Sequence, residues 1–125
     1  MRLVDTSVAV DHLRGEQPAT HLLKGLVEED ELLAASEVTR FELITGARDK
    51  ELPALEAFFS GLSWVPVGEE VARTAGALAS RYRATHGGID MADYLIAATS
   101  LLLDADLLTT NVRHFPMFPE LQAPY

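Results

Sequence analysis

Residues 2–7 read Arg2-Leu3-Val4-Asp5-Thr6-Ser7, a short apolar run with a β-branched residue that stops at an acid and two hydroxyls. Such a run reads as a buried strand whose end carries polar groups. The residues that follow read as a helix through about His12 or Arg14, stopped by Gly15.

The same alternation continues along the chain. Residues 19–29 read as a second helix, and Glu31-Leu32-Leu33-Ala34-Ala35 as another strand. Ser36 is a good N-cap for a helix from about Glu37 to Thr45 that ends at Gly46. A fourth helix fits 51–60, and Ser63-Trp64-Val65-Pro66-Val67 reads as a strand with its proline near an edge. Val71, Ala75, Leu78, Ala79 and Tyr82 recur at helical spacing, which predicts an amphipathic helix over 69–85, broken by His86-Gly87-Gly88. From Asp90 to about Leu103 the sequence is apolar nearly all round, the mark of a central buried helix. Asp106 to Asn111 reads as a short strand ending in polar residues, and the proline-punctuated tail, Pro116 to Tyr125, as one last edge strand. Strands alternating with helices predict an α/β fold, a three-layer α/β/α sandwich around a mostly parallel sheet. With no repeat and no linker, one domain over residues 1–125 is expected. Ligands of such sheets bind outside the carboxyl ends of the strands, where Asp5 and Asn111 are both expected.

Composition narrows the function. A chain of 125 residues that is 48% hydrophobic can bury a core without covalent staples. With no cysteine, disulfide scaffolds, thiolate zinc sites and cysteine nucleophiles are excluded. The opening apolar run is too short for a signal peptide, and no segment approaches the ~20 apolar residues of a membrane helix, so a cytoplasmic protein is expected. The net charge of −9 opposes ordinary nucleic-acid binding, where basic groups neutralise phosphates. It is compatible with a nuclease only if acids gather where a cation sits, or if a basic partner covers them.

Three carboxylates occupy positions that burial normally forbids. Asp5 ends a buried strand, Glu42 lies on or beside the apolar stripe of its helix, and Asp93 opens the most apolar helix. Buried carboxylates repel one another unless a cation sits among them. Oxygen-only ligation suits Mg²⁺ or Mn²⁺, ions that act on phosphates by activating water and stabilising an in-line displacement. Plainer readings stand beside this one. Asp5 fits an N-cap, Glu42 fits a solvent-facing position, Asp90 and Asp93 have the spacing of a capping box, and Asn111 after Thr109-Thr110 fits a turn. The histidines at 12, 21, 86 and 114 form no i,i+4 pair, and His114 reads as a surface residue near Asn111. No serine sits in a G-x-S-x-G context.

Four stretches together resemble a known family. Leu3-Val4-Asp5-Thr6-Ser7-Val8, SEVTRFELITG (36–46), IDMADYLIAA (89–98) and LLTTNVRHF (107–115) are similar, in order, to the motifs of PIN domains, specifically VapC toxins of toxin–antitoxin pairs. The resemblance implies a PIN fold and Mg²⁺- or Mn²⁺-dependent endonucleolytic cleavage of RNA, often tRNA or rRNA, that halts translation and leaves 5′-phosphate and 3′-hydroxyl ends. It also implies a homodimer and a VapB-like antitoxin whose C-terminal tail occupies the active site. Carried over by position, Asp5, Glu42 and Asp93 would hold the metal, with Asn111 as the fourth catalytic position. Thr6 or Ser7 would be the neighbouring hydroxyl, and Asp90, Thr109 and Arg113 auxiliary residues. Asn111 stands where many PIN domains have Asp, so the fourth position adds no negative charge; Asp90 is a possible substitute. Substrate contacts would fall to arginines such as Arg14, Arg40, Arg81 or Arg113.

The rivals are few. A haloacid-dehalogenase-like phosphatase needs an acid two residues after Asp5, where Ser7 stands. A receiver-like signalling module needs paired acids near the first strand, which are absent. A catalytically degenerate PIN domain that only binds protein is the third.

Overall fold

The structure, a computed structural model, describes all residues from Met1 to Tyr125. Four short strands, β1 (Arg2–Val4), β2 (Leu33–Ser36), β3 (Ser63–Val65) and β4 (Asp106–Leu108), form one sheet in the order β3-β2-β1-β4. All three pairings are parallel. Parallel neighbours need helical crossovers, and the chain supplies two helices for each. They are α1 (Thr6–Leu13) and α2 (Gln17–Glu28), α3 (Glu37–Gly46) and α4 (Leu52–Phe59), then α5 (Glu69–Tyr82) and α6 (Met91–Leu103).

Adjacent residues along each strand point to opposite faces. Val4, Leu33 and Leu108 pack with Val8, Leu23, Leu43 and Phe59 on one side. Leu3, Ala34 and Leu107 pack with Ile96, Ala97 and Phe115 on the other. Both faces of the sheet are therefore covered, which is why its strands read as continuous apolar runs. Behind the second face α5 and α6 pack together through Val71, Ala75, Tyr94 and Ala98. The α/β/α sandwich and its parallel sheet are as the sequence predicts.

The helix signals act as expected at the end of α1 and at the start of α3. Gly15 takes a φ of +82°, a left-handed turn that a residue with a side chain resists. The Ser36 hydroxyl accepts from the Val38 N–H and caps α3. Three expectations are corrected. The fourth helix begins as a 3-10 turn at Asp49–Glu51 and becomes α-helical only at Leu52. The last strand ends at Leu108, not Asn111, because its one partner, β1, ends at Val4, which pairs with Leu108. No edge strand follows: after a 3-10 turn at Val112–His114 the tail is irregular, and Phe115, 1% exposed, anchors it on the sheet. No helix is long and apolar enough to cross a membrane.

The chain steps from β1 to β2 to β3 in one direction, then returns to place β4 on the other side of β1. The reversal leaves a crevice at the carboxyl end of β1, where sheets of this kind hold ligands.

Candidate functional site

Register decides what meets in that crevice. Val4 pairs with Leu108, and the Asp5 N–H continues the ladder to the Leu108 carbonyl at 2.9 Å. The next residues on the two strands, Asp5 and Thr109, therefore lie side by side. Asp5 Oδ2 accepts from Thr109 Oγ1 at 2.7 Å and from Ser7 Oγ at 2.8 Å. Both hydroxyls are themselves fixed by backbone donors: Thr110 N–H donates to Ser7 Oγ at 3.1 Å, and Asn111 N–H to Thr109 Oγ1 at 3.0 Å. Asp5 is only 3% exposed, and this network leaves its Oδ1 free. Asp5 does occupy the N-cap position of α1, but its side chain makes no capping bond.

Around Asp5 opens a polar pocket of about 310 Å³. Its wall contains five carboxylates, those of Asp5, Asp11, Glu42, Asp90 and Asp93, and neither lysine nor arginine. Thr6, Ser7, Thr110, Asn111 and His114 complete the polar lining. Glu42, half-buried on α3, takes a 2.7 Å hydrogen bond from Thr6 Oγ1 across the gap to α1. Burial raises its pKa; the Thr6 hydrogen bond opposes this, and the charges of Asp90 and Asp5 add to it.

Asp90 and Asp93 form the capping box: Asp93 N–H donates to Asp90 Oδ1 at 2.9 Å, and Asp90 N–H to Asp93 Oδ2 at 3.2 Å. For Asp93 capping and pocket position are compatible, since its side chain also faces the crevice. Burial pushes its carboxyl up to about 6, opposed by the Asp90 N–H and by His114, and assisted by the Asp90 and Asp5 charges. His114 Nδ1 lies 3.3 Å from Asp93 Oδ2, so this histidine belongs to the pocket and not to the open surface the sequence indicates.

The structure thus brings Asp5, Thr6, Ser7, Glu42, Asp90, Asp93 and Asn111 around one space, with Thr109 behind Asp5. Arg113 is exposed and outside the lining. Arg40 is engaged elsewhere, paired with Glu37 and lying 4.0 Å over the Trp64 ring, and Arg81 lies over Tyr82. Sequence reasoning passed over Asp11. It follows Asp5 by six residues on α1, and its Oδ2 accepts a 2.6 Å bond from the Tyr125 hydroxyl, a contact that no local signal discloses.

The donor set fits a hard divalent cation. It offers only carboxylate, amide and hydroxyl oxygens beside one imidazole, and the acids are partly desolvated with no cationic side chain among them. No three acidic or imidazole groups already meet as a closed cage. Carboxylates ringing an open space suit an ion such as Mg²⁺, which keeps much of its water and takes one or two protein carboxylates.

The hydroxyls behind Asp5 carry their own expected outcome. Thr109→Val keeps the shape but removes the donor to Asp5 and strands the Asn111 N–H. A stability loss of about 1–3 kcal/mol is expected in chemical denaturation. An unchanged midpoint would show that the network does not hold Asp5.

A parallel α/β sandwich with acids gathered at its crevice defines the class, and comparison with known proteins places the chain within it. The PIN domain family model matches residues 2–119. The chain belongs to the PIN domain family and, within it, to the VapC proteins. It is 62% identical to Ribonuclease VapC19 of Mycobacterium tuberculosis over 125 residues, the full length of both. Ribonuclease VapC10 of the same species is 42% identical over the whole chain and 93% of that relative. Among solved structures, a toxin-antitoxin complex from Klebsiella pneumoniae superposes with a TM-score of 0.85 at 24% identity, covering 100% of this chain and 98% of that one. FitAcB from Neisseria gonorrhoeae gives a TM-score of 0.69 at 28% identity over 92% and 91% of the two chains.

Proposed function

We propose that this protein is a metal-dependent endoribonuclease, the toxin of a type II toxin–antitoxin pair, cutting tRNA or rRNA and thereby stopping translation. The observation that carries the reading is the pocket of five carboxylates without lysine or arginine, built around buried Asp5 at the sheet's switch point. The 62% identity to a protein named as a ribonuclease supports it.

Asp5 and Asp93 would hold the cation, Mg²⁺ or Mn²⁺, with Glu42 as a third carboxylate. When bound, such an ion neutralises a phosphate oxygen and lowers the pKa of an attacking water. The rest is done by the chain. Thr109 and Ser7 fix the orientation of Asp5 so that its free oxygen faces the crevice. Thr6 holds Glu42 at the wall. His114, 3.3 Å from Asp93 Oδ2, is the side chain placed to accept or hold a proton during strand scission. Asn111 offers a neutral amide to the substrate side.

Left open, a pocket of this charge repels RNA. A VapB-like antitoxin with a basic C-terminal tail would cover it in the resting complex, and the protein is expected to act as a homodimer. Structures similar in fold come from toxin-antitoxin complexes, which is consistent with such a partner.

The test is cleavage of total cellular RNA by the purified, antitoxin-free protein with Mg²⁺, Mn²⁺ or EDTA. Discrete fragments that require the metal and end in a 5′-phosphate are expected. Intact RNA under every condition, from folded protein, would favour a protein-binding PIN domain without catalysis.

A further inference from the structure

Next to the acidic pocket lies a second cleft of about 450 Å³, walled by the ends of α1 and α3 and by the 3-10 turn that enters α4. The two spaces share Val10 and Glu42 in their walls, so they meet at Glu42. Their electrostatics differ, since the cleft sets three cations against two carboxylates, Glu42 and Glu51. The acidic pocket has no lysine or arginine, whereas the cleft is rimmed by Arg14, Arg48 and Lys50.

Three of ten cationic side chains on one cleft is a local excess in a protein of net charge −9. Arg48 is tied down by Glu51, whose Oε1 accepts from both its backbone N–H and its Nε. Arg14 and Lys50 are exposed and take part in no ion pair. Between the cations the floor is apolar, with Leu13, Leu43 and Leu55. A floor of that kind beside free cations suits a strand whose sugars face inward and whose phosphates meet the cations.

We infer that this cleft carries the substrate RNA on one side of the scissile phosphate, with Arg14 and Lys50 positioning its backbone. The inference rests on the nuclease reading of the acidic pocket. It supplies what that reading lacks, a cationic track that leads a polyanion to an acidic centre. Phosphate contacts of this kind set register and affinity without reading sequence. Neither residue touches the reacting atoms, so both act on binding and leave the chemical step alone.

The experiment compares three proteins: wild type, Arg14→Ala/Lys50→Ala, and Lys24→Ala/Arg83→Ala. The last makes the same charge change at exposed positions outside the cleft. Cleavage of cellular RNA in Mg²⁺ is followed for KM and kcat, and binding of a short mixed-sequence labelled RNA by anisotropy from low to moderate salt. Thermal melts establish that all three fold.

For the cleft variant, KM is expected to rise about tenfold, with kcat within about twofold of wild type. Its salt slope should flatten by about 1.4, at ~0.7 per lost phosphate contact on a single strand. The control pair should match wild type. An unchanged cleft variant, or equal losses in the control, overturns the inference. So does normal RNA handling with lost affinity for an acidic peptide, which would make the cleft a protein groove. Failure of the wild type itself to cut RNA shows before any variant is compared, and overturns the nuclease reading instead.

Discussion

Asp5→Asn protein is expected to fold as wild type does and to cut RNA on the order of a thousand-fold more slowly, a loss of about 4 kcal/mol in transition-state stabilisation. The asymmetric surroundings of Asp5 explain both halves. One carboxylate oxygen accepts from Thr109 and Ser7, and the other faces the crevice. The amide oxygen of asparagine can replace the first, so the hydroxyl network survives. Its NH₂ then faces the crevice, presenting two donors where a cation requires a lone pair. Cleavage should fall in Mg²⁺ and in Mn²⁺ alike, with an unchanged circular dichroism spectrum. Activity near wild type in either metal would remove Asp5 from the mechanism.

Asp93→Asn should have the same effect on cleavage and an opposite one on stability. The Asp93 carboxyl is pushed from 3.8 to about 6 on folding, mainly by burial. The folded state therefore binds this proton more tightly than the unfolded chain, and folding takes up a proton between those two pH values. Stability from this group is fullest below the unfolded value and declines as pH rises toward 6. At neutral pH the charged side chain opposes folding, even though the helix N-terminus favours the charge by up to ~1 kcal/mol. With its side chain 13% exposed and His114 close by, neutralising it should stabilise metal-free protein by about 1–2 kcal/mol at pH 7. At pH 4 the gain should vanish. Mg²⁺ should raise the melting temperature of wild type and not of the variant. A variant less stable than wild type at pH 7 without metal would contradict this account of Asp93.

The fold was largely legible because its signals are local. Leu3-Val4 before Asp5, Ser36 before α3 and Gly15 after α1 each announce an element boundary within a few residues. The reading failed where distant contacts override local ones. Thr109 has the β-branching of a strand residue, yet the partner strand β1 ends at Val4, and the ladder stops at Leu108. The tail was legible as a strand only at its apolar residues; Pro116, Pro119 and Pro124 cannot donate to a ladder, and Phe115 on the sheet and Tyr125 at Asp11 fix it instead. At the site, Asp5, Glu42 and Asp93 stand out as acids in apolar company. Spacing leaves Asp90 and Asp93 readable either as cap or as pocket, because it cannot say that one carboxylate performs both roles. Asp11 and His114 carry no such mark. The first lies on a short helix among several polar residues and the second in a turn that only the pairing of β4 with β1 brings to the pocket.

That closing also sets a clock. The hydrogen bond that orients Asp5 joins residues 104 positions apart in sequence. During synthesis Asp5 leaves the ribosome early, but Thr109, Asn111 and His114 emerge near the end. Contacts of such separation form late because the intervening loop must first be ordered. A nascent or prematurely ended chain lacking β4 has its acids but neither the wall that shapes them nor the hydroxyl that aims Asp5. Under the proposed function, the chain therefore cannot cut RNA before β4 has been made and docked beside β1.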